Sequence, residues 1–389
     1  MKKKVLYIGG TAADEKGAVG THTSGIINSL EKNNSIELFG VFLSDTKPSF
    51  LPKESYFHKI KSIKRNYFSK VKSTIKYSKY IRDIVKATDP DYIYIRYSPF
   101  SYLSFYIFNL DFSRKVILEY NDIFYEQILF AVKRGEWSSI DKWIRISKLY
   151  KSFVLSVEKL AFRKSYLTVL VTEGLLDYCI NIESKANAIV VQNATNIFKV
   201  QDSENVGNPC LYLAHIGTLT YWDGLEELVD ALHIALDINK SFNFNFNIIG
   251  DGALKEKLVN KVKALGMNDF INFIEPMPHD KAIKFLEKTD VVPLLKTIDG
   301  YGLSPIKFYE AMGSGCYLLS SDIPHINEVP DFVGKVVSFP LEVNEIASDI
   351  LDIWENIENI RSNKSRIASF AIKNCSWDAR VDQIVQELK

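Results

Sequence analysis

Cysteine is scarce and scattered: Cys179, Cys210, Cys316 and Cys375 form no C-x-x-C pair. That spacing gives no support to a zinc or dithiol site and points to a reducing, cytoplasmic setting. Long apolar runs are also missing. The longest, Phe100 to Leu110, is about half a bilayer span and is interrupted by Ser and Asn, so no membrane-crossing segment is expected. With 19 Gly and 12 Pro in 389 residues, the chain is neither fibrous nor disordered. Neither sign of charge dominates: 48 Lys+Arg face 47 Asp+Glu, which excludes bulk attraction to nucleic acid but allows a local patch. The start, Met-Lys-Lys-Lys-Val-Leu-Tyr-Ile-Gly-Gly, falls short of the ~7–15 apolar residues of a signal peptide and reads as a first strand.

What is present is an alternation of buried strands and amphipathic helices, the pattern of an α/β protein with parallel sheets. Strands are expected at Val5–Ile8, Ile36–Val41, Tyr92–Ile95, Val116–Glu119, Leu167–Val171 and Ala188–Val191. Helices are expected near His22–Glu31, Asn66–Lys86 and Asp141–Lys164. The polar stretch 200–209 reads as a linker between a domain of residues 1–199 and another of 210–374, with a last helix, 375–389, crossing back. Beyond the linker, strands are expected at Leu211–Ile216, Phe244–Ile249, Ile271–Ile274, Val291–Leu295 and Tyr317–Ser320, with helices starting near Gly224, Ala253, Asp280 and Pro305. Two Rossmann-like domains would place ligands at the carboxyl ends of their strands, facing a cleft.

The most informative stretch is Asp299-Gly-Tyr-Gly-Leu-Ser-Pro-Ile-Lys-Phe-Tyr-Glu-Ala-Met-Gly-Ser-Gly315. A glycine-containing loop enters a helix, with Ser304 as the expected cap and Pro305 in the first turn. Free amides there make an anion site, Lys307 adds a charge, and Glu310 stands one turn on to meet a sugar hydroxyl. The same residues also fit a plain capped helix with two solvated charges.

This stretch resembles the S-P-x-K-x-x-E-x-M-x-x-G motif of GT-B glycosyltransferases in glycosyltransferase family 4, the glycogen-synthase-like group 1 enzymes; Ser304, Pro305, Lys307, Glu310, Met312 and Gly315 match. Ala214–Gly224, Ile249-Gly-Asp-Gly252, Glu158–Thr172, Val191-Gln-Asn-Ala194, Arg96-Tyr-Ser-Pro99 and Glu119-Tyr-Asn-Asp122 with Glu126 follow in the family's order. The resemblance implies a retaining, metal-independent transferase without a cofactor, using a nucleotide-diphosphate sugar (UDP-sugar favoured, GDP-sugar the other option). It implies that Glu310 binds the ribose, and that Lys307 and the amides near Ser304 hold the diphosphate. Asp299, Gly300, Tyr301, Gly302 and Leu303 would line the donor sugar, with Gly217, Thr218, Gly250 and Gly252 at the neighbouring turns. The loop Gly9–His22, with Gly17, Gly20, Thr21 and His22, would approach the diphosphate, or is an ordinary surface loop. Glu119, Asn121, Asp122, Glu126 and Arg96 would meet the acceptor, with proton acceptance as one role for the acids; helix-start carboxylates are the plainer reading.

Three departures stand out. The family's G-R-L-x-x-x-K-G places Arg and Lys where this chain has Thr218 and Asp223. The first acid of E-x7-E falls on Gly302, and a pocket His is replaced by Asn121. The missing Arg/Lys pair leaves room for a non-catalytic sugar-nucleotide-binding protein, and the fold class also houses nucleotide-sugar 2-epimerases. Between Lys59 and Lys86, ten Lys or Arg accompany one acid, Asp83, with Tyr67, Phe68, Tyr77 and Tyr80 interleaved. This basic helix points to peripheral contact with an anionic inner membrane face, which would suit a glycan or lipid-linked acceptor, against the alternative of a solvated helix. No nucleic-acid module accompanies it. Asp89-Pro-Asp91 is read as a helix exit before a strand and His279-Asp280 as a helix start, neither as a metal or catalytic motif.

Overall fold

The computed structural model describes residues 2–9, 18–44, 52–59, 67–109, 115–133, 145–198, 200, 207–297, 304–323 and 325–389. They form two compact units, Met1–Gln192 with Arg380–Lys389, and Asn193–Ala379.

The first unit holds a parallel sheet of β1 (Lys3–Gly9), β2 (Ile36–Ser44), β3 (Glu54–Lys59), β4 (Tyr92–Arg96), β5 (Val116–Tyr120), β6 (Leu167–Leu170) and β7 (Ala188–Val190), in the order β3-β2-β1-β4-β5-β6-β7. Its helices are α1 (Ala18–Lys32), α2 (Tyr67–Thr88), α3 (Pro99–Phe108), α4 (Phe124–Lys133), α5 (Lys148–Lys164) and α6 (Glu173–Ile182). β4, β5 and β6 are buried along most of their length, as strands covered by helices on both faces must be.

The second unit repeats the design with β8 (Leu211–Ile216), β9 (Phe244–Ile249), β10 (Ile271–Ile274), β11 (Val291–Leu294), β12 (Tyr317–Ser321) and β13 (Gly334–Val337), in the order β10-β9-β8-β11-β12-β13. The helices are α7 (Leu225–Ile238), α8 (Lys255–Ala264), α9 (His279–Glu287), α10 (Ile306–Gly313), α11 (Val343–Glu355), α12 (Ile357–Ser362) and α13 (Lys364–Asn374); a last helix, α14 (Trp377–Gln386), starts in this unit, and its residues from Arg380 belong to the first. Alternation sends Leu213, Val291 and Leu319 into the core on one face, and Ala214, Val292 and Leu318 into the core on the other.

In both sheets the strand order reverses beside the first strand, at β1/β4 and at β8/β11. Loops leaving the carboxyl ends there diverge and open a crevice, where ligands of such sheets bind.

The units divide between Gln192 and Asn193, earlier than the linker expected at 200–209. Asn193 is tied to Ser304, and Thr195 bridges Ser376, so this segment folds with the second unit. The return is later than 375: residues 380–389 join the first unit, where Tyr92 donates to the Lys389 carbonyl at 2.6 Å and Asn33 to Asp382 at 2.8 Å. Ser376 caps α14 as expected, accepting from the Ala379 amide. The helix expected at Asn66–Lys86 is α2, Tyr67–Thr88, but the basic stretch read as one helix from Lys59 is not, since Lys59 ends β3. The segment expected as a helix from Asp141 is α5, which starts at Lys148.

Candidate active site

At the carboxyl edge of the second sheet, the turns after β8 and β9 are zipped together. The Gly217 amide donates to the Ile249 carbonyl at 3.0 Å and the Leu219 amide to that of Asp251 at 2.9 Å. Gly250, at φ +149°, has the Gly217 carbonyl 1.9 Å from where a Cβ would stand, and at Gly252 the Leu219 carbonyl is 2.3 Å away. These two glycines serve the packing of the turns. Gly217 differs: at φ +144° it has Lys307 Nζ 3.9 Å from its Cβ position, so its open face lies beside that ammonium. Thr218 is exposed next to it.

Helix α10 begins one residue later than expected. Pro305 occupies the cap position without a side-chain bond, while Ser304 Oγ accepts from the Asn193 amide at 3.2 Å and pairs with Tyr309. Asn193 Nδ2 donates back to the Ser304 carbonyl. The Val191–Ala194 motif thus clamps the start of the helix that carries Lys307 and Glu310. Glu310, 8% exposed, has His279 Nε2 2.7 Å from its Oε1. This hydrogen bond raises the pKa of His279. His279 is therefore more than a helix start; its signal in the sequence was only a lone histidine.

Asp223, in the turn before α7, organises a cation cluster. Its Oδ1 accepts from Lys296 Nζ and lies 3.4 Å from Lys307 Nζ, and its Oδ2 accepts from Thr220. Burial opposes the carboxylate, but Lys307 and Lys296 outweigh it and hold Asp223 far below the usual range. Lys296, 6% exposed, has its pKa lowered to about 8 by burial and by Lys307, against the pull of Asp223. His215, on β8, belongs to the same cluster; burial first and then Lys307 push its pKa well down. Neither Lys296 nor His215 carries a signal in the sequence, each being a lone residue in or after an apolar strand.

In the first unit, Glu119 at the end of β5 is 1% exposed. Its Oε1 lies 2.8 Å from His22 Nε2, accepts from Asn121 Nδ2 at 2.6 Å and stands 3.7 Å from Arg96 Nε. Burial outweighs Glu119 and lowers the pKa of His22 to about 4, so the ring is neutral at pH 7. Asp122 accepts from the Ile123 amide and from Gln127, and burial raises its pKa. Glu126 stands exposed in the first turn of α4, and its pKa is raised by burial and then by the neighbouring Asp122 carboxylate. A pocket is lined by Arg96, Tyr97, Tyr120, Asn121, Asp122, Phe124 and Gln127. Behind it, buried Glu158 accepts from Tyr120 at 2.9 Å and Tyr178 at 2.7 Å, which fixes the Tyr120 ring. Gly20, Thr21 and His22 lie within α1, in its first turns, rather than in a loop. Gly17 and Asp299–Leu303, with Gly300, Tyr301 and Gly302, lie outside the described residues.

Residues 199–367 match the family of glycosyl transferases group 1. An uncharacterized glycosyltransferase of Methanocaldococcus jannaschii is 23% identical over 197 residues, which is 50% of this chain and 51% of that one. The chain thus matches about half the length of this curated relative. Among solved structures, sucrose-phosphate synthase of Thermosynechococcus elongatus superposes with a TM-score of 0.71 at 14% identity, over 99% of this chain and 98% of that one. Anabaena HepE in complex with UDP and glucose gives 0.69 at 15% identity, over 99% of both chains. At such identities the likeness shows the fold, the two-sheet GT-B architecture.

Proposed function

We propose, from the premise that this chain carries a group 1 glycosyltransferase domain on a GT-B fold, that it moves a sugar from a nucleoside-diphosphate sugar to a hydroxyl of a glycan or lipid-linked acceptor. The observation that carries this reading is the arrangement at α10: a clamped helix start, Lys307 beside the open face of Gly217, and Glu310 one turn further on.

In the proposed reaction, the bond between the sugar's anomeric carbon and the β-phosphate oxygen breaks. The acceptor oxygen bonds to that carbon on the same face, and its proton passes to the departing diphosphate, so configuration is retained. Negative charge grows on the leaving group, where Lys307 and the α10 amides meet it without a metal ion. Glu310, held by His279, receives the ribose hydroxyls. In the first unit, Arg96, Asn121, Asp122 and the tyrosine-lined pocket receive the acceptor, and buried Glu119 positions His22, Asn121 and Arg96.

Membrane contact forms part of the same reading. On α2, Lys76, Lys79 and Lys86 are exposed, and an anionic surface attracts each by about 1 kcal/mol. Among the described residues no helix is long and apolar enough to cross a membrane.

The test is a thermal-shift series with UDP, GDP, ADP, CDP and dTDP in EDTA, followed by turnover with the matching sugar donor. Ligand at about 100 times its dissociation constant adds about 2.7 kcal/mol. Stabilisation by one nucleotide supports the donor site; silence with all five refutes it. The acid at position 223, where the family has Lys, favours one second reading, a donor-binding protein without turnover. Nucleotide binding with no product would establish that reading.

A further inference from the structure

The turn before α7 holds Asp223 where the family places a lysine, yet the site keeps its cation. Lys296 reaches the same point from the end of β11. The strand order of the second sheet reverses between β8 and β11, so Lys296 leaves the sheet at the crevice where α/β folds receive ligands. Its backbone is fixed there, with the amide donating to Ser321 Oγ at 2.6 Å.

Among the described residues the charges do not balance as a structural ion pair would. One carboxylate needs one ammonium, but a single oxygen of Asp223 faces both Lys296 and Lys307. Holding a second, half-buried ammonium beside the buried Lys296 against one acid is costly unless an anion joins them. Neither ring nitrogen of buried His215, which faces these groups, has a hydrogen-bond partner. Because both ammoniums bond one oxygen, they lie within the span of a diphosphate, and Lys307 stands beside the open face of Gly217.

We propose that Lys296 is the second phosphate-binding cation of the donor site, and that Asp223 is the resident counter-charge of Lys296 and Lys307, with which the diphosphate competes. The inference rests on the donor reading above. The charge that the family carries on the β8 turn is here supplied from β11, and the acid at 223 tempers it.

The experiment measures affinities of the full chain for nucleoside diphosphates and the matching monophosphates by calorimetry, taking UDP and UMP first. Lys296→Met is expected to weaken UDP at least tenfold and UMP by less than twofold, collapsing the preference for the diphosphate; Lys296→Arg should restore it. Asp223→Asn keeps the shape, removes the negative charge and is expected to tighten UDP severalfold. An unchanged UDP/UMP ratio in Lys296→Met overturns the inference. So does weaker UDP binding in Asp223→Asn, the behaviour of a structural ion pair, and this holds even if Lys296→Met fails to fold. If the unmodified chain binds UDP, GDP, ADP, CDP and dTDP no better than buffer, the donor reading itself fails, a distinct result that removes this inference with it.

Discussion

His22 Nε2 sits 2.8 Å from Glu119 Oε1, joining the second turn of α1 to the end of β5 inside the first unit. The bond favours the imidazolium, but burial disfavours it more, and Arg96 adds to the burial; Tyr7 and Tyr94 are the neighbouring phenols on β1 and β4.

Acid lability of the first unit follows. The folded pKa of about 4 lies below the unfolded value of 6.5, so the unfolded chain binds the proton first. Stability is present above about 6.5 and is lost as pH falls towards 4, by on the order of 3 kcal/mol. Urea unfolding between pH 7 and 4 should show this slope, and His22→Gln should flatten it. A slope unchanged in the variant would assign the acid sensitivity to other groups.

Glu310 is expected to act on the nucleoside half of the donor. Glu310→Gln should weaken UDP and UMP alike, by about 1–3 kcal/mol if a charged hydrogen bond to ribose is lost. The same variant should leave 2′,3′-dideoxy-UDP affinity nearly unchanged. Equal losses for UDP and for 2′,3′-dideoxy-UDP would remove the ribose role.

Lys307 is expected to act in the transition state. Lys307→Ala should lower kcat by roughly 10²–10³-fold, the cost of removing one preorganised group that meets developing charge. Its effect on KM should be smaller. Turnover within threefold of the parent would show that the diphosphate is stabilised elsewhere.

The exposed lysines of α2 provide a separable test. Replacing Lys76, Lys79 and Lys86 by Gln should cut binding to vesicles containing phosphatidylserine by about 3 kcal/mol at low salt, while binding to neutral vesicles stays the same. High salt should weaken the parent in the same direction. Binding that survives both treatments would place the membrane contact on another surface.

Much of the fold was legible because strands buried on both faces are written as continuous apolar runs. β8 begins and ends where its run does, and β9, Phe-Asn-Phe-Asn-Ile-Ile, is bounded in the same way although its Asn residues alternate with buried Phe. Two edge strands were not legible: β3 reads Glu-Ser-Tyr-Phe-His-Lys and β13 is mostly half-exposed, so neither carries a buried run, whereas the edge strands β7 and β10 were expected from Ala188 and Ile271. Burial, which writes the pattern, is weakest at an edge.

By itself the sequence determined two α/β units of parallel strands, the glycine turns and the helix that bears Lys307 and Glu310, because periodicity and turn chemistry are local. It also showed that Arg and Lys are absent at 218 and 223. Only the tertiary structure decided what replaces them. Lys296 and Asp223 are 73 residues apart and meet because β8 and β11 are neighbours in the sheet. The same holds for His279 with Glu310 and for His22 with Glu119, pairs made by helix and strand packing. A buried charge is stable only beside its counter-charge, and nothing local in the chain records where that partner will be.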